Sequence, residues 1–281
     1  MTFTGVYVPL ITPFDAAGAV DYAALEALGE EILDGGAAGL VALGTTGEPA
    51  SLSAAERDRV LHVITTVCRR RHAQLLVGAN TFDQVRDVRA DAALTLVPPF
   101  LRPGPDGVVA YFEALAAAGP VPLIVYHVPQ RTGQQLSAVT LRRLAAIPGV
   151  AGIKYATGGL DADAADLLAD PPPGFAVLGG DDIVLAPMLA LGAHGAIAAC
   201  AHLATAAFAD LVAAWQAGDT ARARPLGRRL TRLAAALFAE PNPSVIKAVL
   251  HAQGRIRTAA VRLPLLPAGE HSRQTAAALA H

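Results

Sequence analysis

The chain has 281 residues, 53% hydrophobic and 16% charged, with a formal net charge of -2. That much apolar material can build a large buried core, which excludes a disordered chain and a miniprotein held by disulfides. The near-neutral charge offers no basic footprint for nucleic acid, and two cysteines without C-x-x-C spacing provide neither a disulfide framework nor a thiolate metal site.

In chain order, MTFTGVYVPL lacks the cationic start and apolar h-region of a signal peptide, so the sequence predicts a cytoplasmic protein with no membrane partner. Eight short, nearly continuous apolar runs follow one another as candidate strands: 5–10, 39–44, 74–79, 92–98, 121–126, 150–154, 175–179 and 195–199. Such runs suit a parallel sheet buried on both faces, since a sheet with one wet face would alternate polar and apolar residues.

Helical patterns fill the intervals. Ala24, Leu25, Leu28 and Ile32 recur at helical spacing before the stop Gly35-Gly36, and Ser53 with Glu56 forms a capping box ahead of Val60, Leu61, Val63 and Ile64. Between the third and fourth strands, TFDQVRDVRAD leaves room for only two to three helical turns. The uncharged stretch 183–209 is long enough to span a bilayer, but its prolines, glycines and histidines favour a buried helix followed by a buried strand. Three further helical segments come after the eighth strand. The regular strand–helix alternation predicts a (β/α)8 TIM barrel over 1–218, with a C-terminal helical extension over 219–281. No G-x-G-x-x-G follows the first strand, so a dinucleotide-binding sheet loses its main support.

A barrel of this kind carries its chemistry at the C-terminal ends of its strands. Those ends hold Gly44-Thr45-Thr46-Gly47, Pro98-Pro99-Phe100, Tyr126, Lys154 and Gly179-Gly180-Asp181-Asp182. Only two of the 22 basic residues are lysines, Lys154 and Lys247. Lys154 ends an apolar strand, where an amine is poorly solvated and its neutral form is a nucleophile; alone, it would more often snorkel to solvent. The G-T-T-G turn offers N–H groups and hydroxyls to a carboxylate, and Tyr126 can deliver protons. Lys247, on a later helix, reads as a structural or helix-solvating residue. His127 alternates with Tyr126 along its strand and is assigned to structure. The scattered histidines make no metal-binding pattern, and no cofactor is implied.

Together GTTGEPASLS (44–53), YHVPQRTG (126–133), GIKYATG (152–158), GDD (180–182) and EPNPSVIKAVL (240–250) resemble the dihydrodipicolinate synthase and N-acetylneuraminate lyase family. The resemblance runs from Tyr7 to Leu266 and implies a (β/α)8 barrel with a helical extension, usually a homotetramer of tight dimers. It implies that Lys154 is the Schiff-base lysine, that Tyr126 shuttles protons, and that Thr45 and Thr46 bind the pyruvate carboxylate, Thr45 also belonging to the proton relay. It implies further that Arg131 holds the carboxylate of an aldehyde substrate and that Gly180 and Ile197 line the pocket through their backbones. Two positions depart from the pattern: Phe100 stands where the family's synthases carry a relay tyrosine that crosses to a neighbouring subunit, and Tyr155 replaces an acidic residue.

The expectation is a cofactor-independent lyase of lysine biosynthesis that condenses pyruvate with aspartate semialdehyde to 4-hydroxy-tetrahydrodipicolinate, assembled as a homo-oligomer, dimer or tetramer. One alternative is an aldolase or dehydratase acting on a 2-keto-3-deoxy sugar acid through the same imine. Another is a non-catalytic barrel that binds a small molecule.

Overall fold

The computed structural model describes residues 3–280. Eight parallel strands close a barrel in the order β1 to β8: Gly5–Pro9, Gly39–Ala42, Gln74–Gly78, Ala92–Leu96, Leu123–His127, Val150–Tyr155, Ala176–Gly179 and Gly195–Ile197. All eight fall within the apolar runs of the sequence or one residue past them, and the fold class is as expected. The ends differ for local reasons. Leu43 adopts the left-handed conformation and takes the chain out of β2, while Pro122 has no N–H to give a ladder and delays the start of β5.

The chain divides into two compact units. The first comprises Leu76–Ile197 with the N-terminal residues through Gly5. In it β3 to β8 pair in sequence order, and the helices are α3 (Phe82–Asp87), α4 (Gly104–Ala118), α5 (Pro129–Thr132), α6 (Ala138–Ala145), α7 (Ala162–Ala169) and α8 (Leu185–Ala190). The short helix expected after β3 is α3, six residues capped by the Thr81 side chain. The stretch that could have spanned a membrane begins with a 3-10 turn at Asp182–Val184, α8 and β8. Among the described residues no helix is long and apolar enough to cross a bilayer.

The second unit comprises Val6–Leu75 and Ala198–His281. It holds α1 (Tyr22–Asp34), α2 (Ala54–Arg71), α9 (Ala201–Gln216, kinked at Ala204), α10 (Thr220–Leu237), α11 (Ser244–Ala252) and α12 (Glu270–Leu279). The capping box at the start of α2 is present in both directions: the Glu56 N–H donates to the Ser53 hydroxyl, and the Ser53 N–H donates to the Glu56 carboxylate. The buried face of α2 is Val60, Ile64, Val67 and Cys68, whereas Leu61 and Val63 are only half-buried. α10 packs on α9, and α12 packs on α10 and α11.

Candidate active site

In the first unit, Lys154 and Tyr126 are register partners on β6 and β5. Both are buried, at 7% and 8% exposure, and the Lys154 ammonium nitrogen lies 4.4 Å from the centre of the Tyr126 ring. A strand-end lysine that snorkels would reach solvent; Lys154 instead lies over an aromatic face, without an ion pair among the described residues.

The backbone around it is built to fit. A Cβ on Gly180 would stand 2.8 Å from Lys154 Cγ, 2.9 Å from its Cε and 2.9 Å from Ala156 Cβ, so only glycine leaves room for the lysine stem. The Gly180 N–H donates to the Tyr155 carbonyl at 2.7 Å. Next to it, Asp181 accepts from the Gly158 N–H at 2.6 Å; burial raises its carboxyl above the ordinary value, opposed by that hydrogen bond and by the charge of Lys154. Ile197 is fully buried at the end of β8.

Tyr155, the departure beside the lysine, points away from this chemistry. Its hydroxyl donates to Asp161 Oδ1 at 2.6 Å, and Asp161 also caps α7 through the Ala164 N–H. Burial works to raise the Asp161 carboxyl, but these hydrogen bonds hold it below the ordinary range. His127 packs edge-on against the Tyr155 ring at 5.4 Å, and burial pulls its imidazole down to about 4.

Arg131 lies on α5, a single turn that ends in left-handed Gly133. The turn is anchored to the loop after β6, because the Gln130 amide donates to the Thr157 carbonyl. Arg131 itself is exposed and lines a groove of about 500 Å³ with Phe100, Arg102, Gln130, Thr132 and Gly133. A Cβ on Gly133 would stand 2.9 Å from Arg102 Nε, so a second guanidinium lies against this turn. Phe100 is 88% exposed on a left-handed backbone, and its ring therefore projects outward from this chain.

In the second unit, Thr45–Gly47 forms a 3-10 turn after β2, with Thr46 buried. The Thr46 hydroxyl accepts from the Asn242 side-chain amide at 2.9 Å. Glu48 follows in the left-handed conformation, which is costly for a residue with a side chain. Its carboxylate is held on both oxygens: Oε1 pairs with Lys247 Nζ at 2.5 Å, and Oε2 accepts from the Arg262 N–H at 2.8 Å. Lys247 also donates to the Ala260 carbonyl at 2.9 Å and lies over the Phe14 ring at 4.0 Å.

The helix-solvating alternative for Lys247 is thereby corrected. Its exposure is 0%, and burial pulls its amine down to about 8 against the attraction of Glu48. Neither Glu48 nor Asn242 was singled out from the sequence, although both stand inside the quoted motifs. The signal was the lysine itself, placed on an apolar helix in a chain that otherwise uses arginine.

Comparison with known proteins bears on the chain as a whole. The profile of the dihydrodipicolinate synthetase family matches residues 2–281. A 4-hydroxy-tetrahydrodipicolinate synthase of Syntrophus aciditrophicus is 37% identical over 281 residues, covering 97% of this chain and 95% of the relative. The dihydrodipicolinate synthase of Acinetobacter baumannii, solved in complex with pyruvate, superposes with a TM-score of 0.92 at 35% identity, over 99% of this chain and 98% of that one. The Thermotoga maritima dihydrodipicolinate synthase gives a TM-score of 0.93 at 28% identity, with the same coverage. Sequence and fold thus agree over essentially the full length of both partners, and the chain belongs to the dihydrodipicolinate synthetase family.

Proposed function

We propose that this protein is a 4-hydroxy-tetrahydrodipicolinate synthase, a Schiff-base lyase that condenses pyruvate with aspartate semialdehyde. The observation that carries the mechanism is the buried Lys154 ammonium against the Tyr126 ring at 4.4 Å. Relatives at 35–37% identity bearing that enzyme name support the substrate pair.

In this reading Lys154 gives up its ammonium proton, and the neutral Nζ attacks C2 of pyruvate. The carbinolamine loses water as Tyr126 supplies the proton, leaving an imine. Loss of a C3 proton gives the enamine, whose C3 forms a carbon–carbon bond to the aldehyde carbon. The amine of the second substrate then attacks C2, closing the ring and displacing Lys154. Thr45 and Thr46 bind the pyruvate carboxylate, Thr45 also passing protons, and Gly180 and Ile197 bound the pocket. Arg131 binds the carboxylate of the aldehyde, a task suited to a planar guanidinium with parallel donors. Phe100 and Leu101, at 88% and 82% exposure, support assembly with further copies of the chain through this loop.

The test is borohydride reduction in the presence of pyruvate. One reduced pyruvyl group is expected on the peptide containing Lys154, and none in Lys154→Ala. An unmodified Lys154 at saturating pyruvate would rule the mechanism out.

A further inference from the structure

The C-terminal segment grips the G-T-T-G turn at two points. Asn242, just before α11, donates to the Thr46 hydroxyl at 2.9 Å, and Lys247, within α11, pairs with Glu48 two residues further along. The two contacts differ in kind. The ion pair is fully buried and, with the Arg262 N–H, fixes a residue in a costly left-handed conformation. It accounts for the shape of the turn.

The amide contact does something else. A hydroxyl has one proton to give and two lone pairs to accept with. By accepting from Asn242 Nδ2, Thr46 Oγ1 has one lone pair occupied and its proton directed elsewhere. No other partner for that hydroxyl is present among the described residues. The Asn242 carbonyl oxygen is buried without a hydrogen-bond partner. The bond to Thr46 is thus the one hydrogen bond of this side-chain amide among the described residues. Its effect on Thr46 is to set the direction of the hydroxyl proton.

We propose that Asn242 is a positioning residue for substrate: it holds the Thr46 hydroxyl as a donor toward the carboxylate of a 2-oxo acid. The inference rests on the reading of Thr46 as a carboxylate ligand. Asn242 itself need not touch the substrate, and its effect passes through one hydroxyl.

A double-mutant cycle tests this, with borohydride trapping measured as a function of pyruvate concentration in the wild type, Asn242→Ala, Thr46→Val and the double variant. Each single substitution is expected to raise the half-saturating pyruvate concentration about tenfold, the usual order for a lost hydrogen bond to a charged group. The double variant is expected to match Thr46→Val, because Asn242 has no hydroxyl left to orient. Asn242→Asp can only accept, so it draws the Thr46 proton toward itself and is expected to raise half-saturation beyond Asn242→Ala. A purely structural asparagine would instead give additive effects in the cycle. Additivity, or an unchanged pyruvate dependence in Asn242→Ala, overturns the proposal. If the wild type traps no pyruvate, the Schiff-base reading fails. If it traps normally but Thr46→Val leaves half-saturation unchanged, the carboxylate role of Thr46 and the positioning role of Asn242 fall together.

Discussion

Gly180 and Lys154 fit one another so closely that a single methyl group on the glycine would collide with the lysine stem at two carbons, 2.8 Å from Cγ and 2.9 Å from Cε. The lysine could swing aside, but the same methyl also meets Ala156 Cβ at 2.9 Å, which has no rotamer to change. Gly180 is thus a geometric condition on where the amine can stand, and the 2.7 Å bond from its N–H to the Tyr155 carbonyl fixes it against β6.

Gly180→Ala is therefore expected to fold, with some loss of stability, and to displace Lys154 from the face of Tyr126. A displacement near 1 Å at a reacting group can cost about a hundredfold in rate. Stopped-flow or quenched borohydride trapping should show imine formation slowed by roughly ten- to a hundredfold. Trapping at the wild-type rate would mean that the amine does not depend on this packing.

Arg131→Ala should separate the two substrates. Arg131 lines the open groove on the α5 turn, whereas Lys154 is buried. Pyruvate trapping is expected to persist while kcat/KM for aspartate semialdehyde falls about ten- to a hundredfold, as for a lost bidentate contact worth ~1.5 to 3 kcal/mol. Arg131→Lys keeps the charge without the fork and should recover only part of the loss. Steady-state kinetics with both substrates varied would check this, and an unaltered kcat/KM in Arg131→Ala would remove Arg131 from aldehyde recognition.

What could be read from the sequence follows the range of the interactions involved. The barrel was legible because each strand is buried on both faces and so appears as an apolar run, as in AALTL of β4 or LIVYH of β5. The capping box of α2 was legible because both partners lie within three residues. α12 was not, since EHSRQTAAAL buries only Ala276 and shows no apolar stripe. On α2 the buried row runs on to Val67 and Cys68, one turn beyond the residues the pattern picked out. The Lys247–Glu48 pair could not be seen either, because its partners are 199 residues apart and no local period links them. Motif resemblance located the turn and the helix separately. Only the fold shows that one holds the other.

His202, buried at 1% exposure, couples the stability of the fold to acid. The Ile11 N–H donates to its Nε2 at 3.2 Å, and its Nδ1 lies 2.8 Å from the Ala199 carbonyl. A carbonyl can only accept, so Nδ1 carries the proton and Nε2 must be bare to receive the Ile11 N–H. Protonating Nε2 would set two donors against each other in a fully buried site. Burial accordingly pulls the imidazole from 6.5 down to about 4, with the Ala199 carbonyl opposing and Arg255 assisting. In the unfolded chain the same ring titrates near its ordinary value. Between those two pH values the unfolded state binds a proton that the folded state refuses, so stability falls as pH drops from about 6.5 to about 4 and the effect of this group levels off below that. Its full size is on the order of 3 kcal/mol. His127, also held down to about 4 by burial, adds a slope of the same sign. Glutamine at position 202 can accept from Ile11 and donate to Ala199 without titrating. Urea unfolding of the wild type and His202→Gln from pH 4 to pH 8 is expected to give a variant that is less stable at pH 8 but has a shallower slope below pH 6.5, by up to about 1.4 kcal/mol per pH unit. Parallel stability curves for the two proteins would show that His202 does not resist protonation in the folded state.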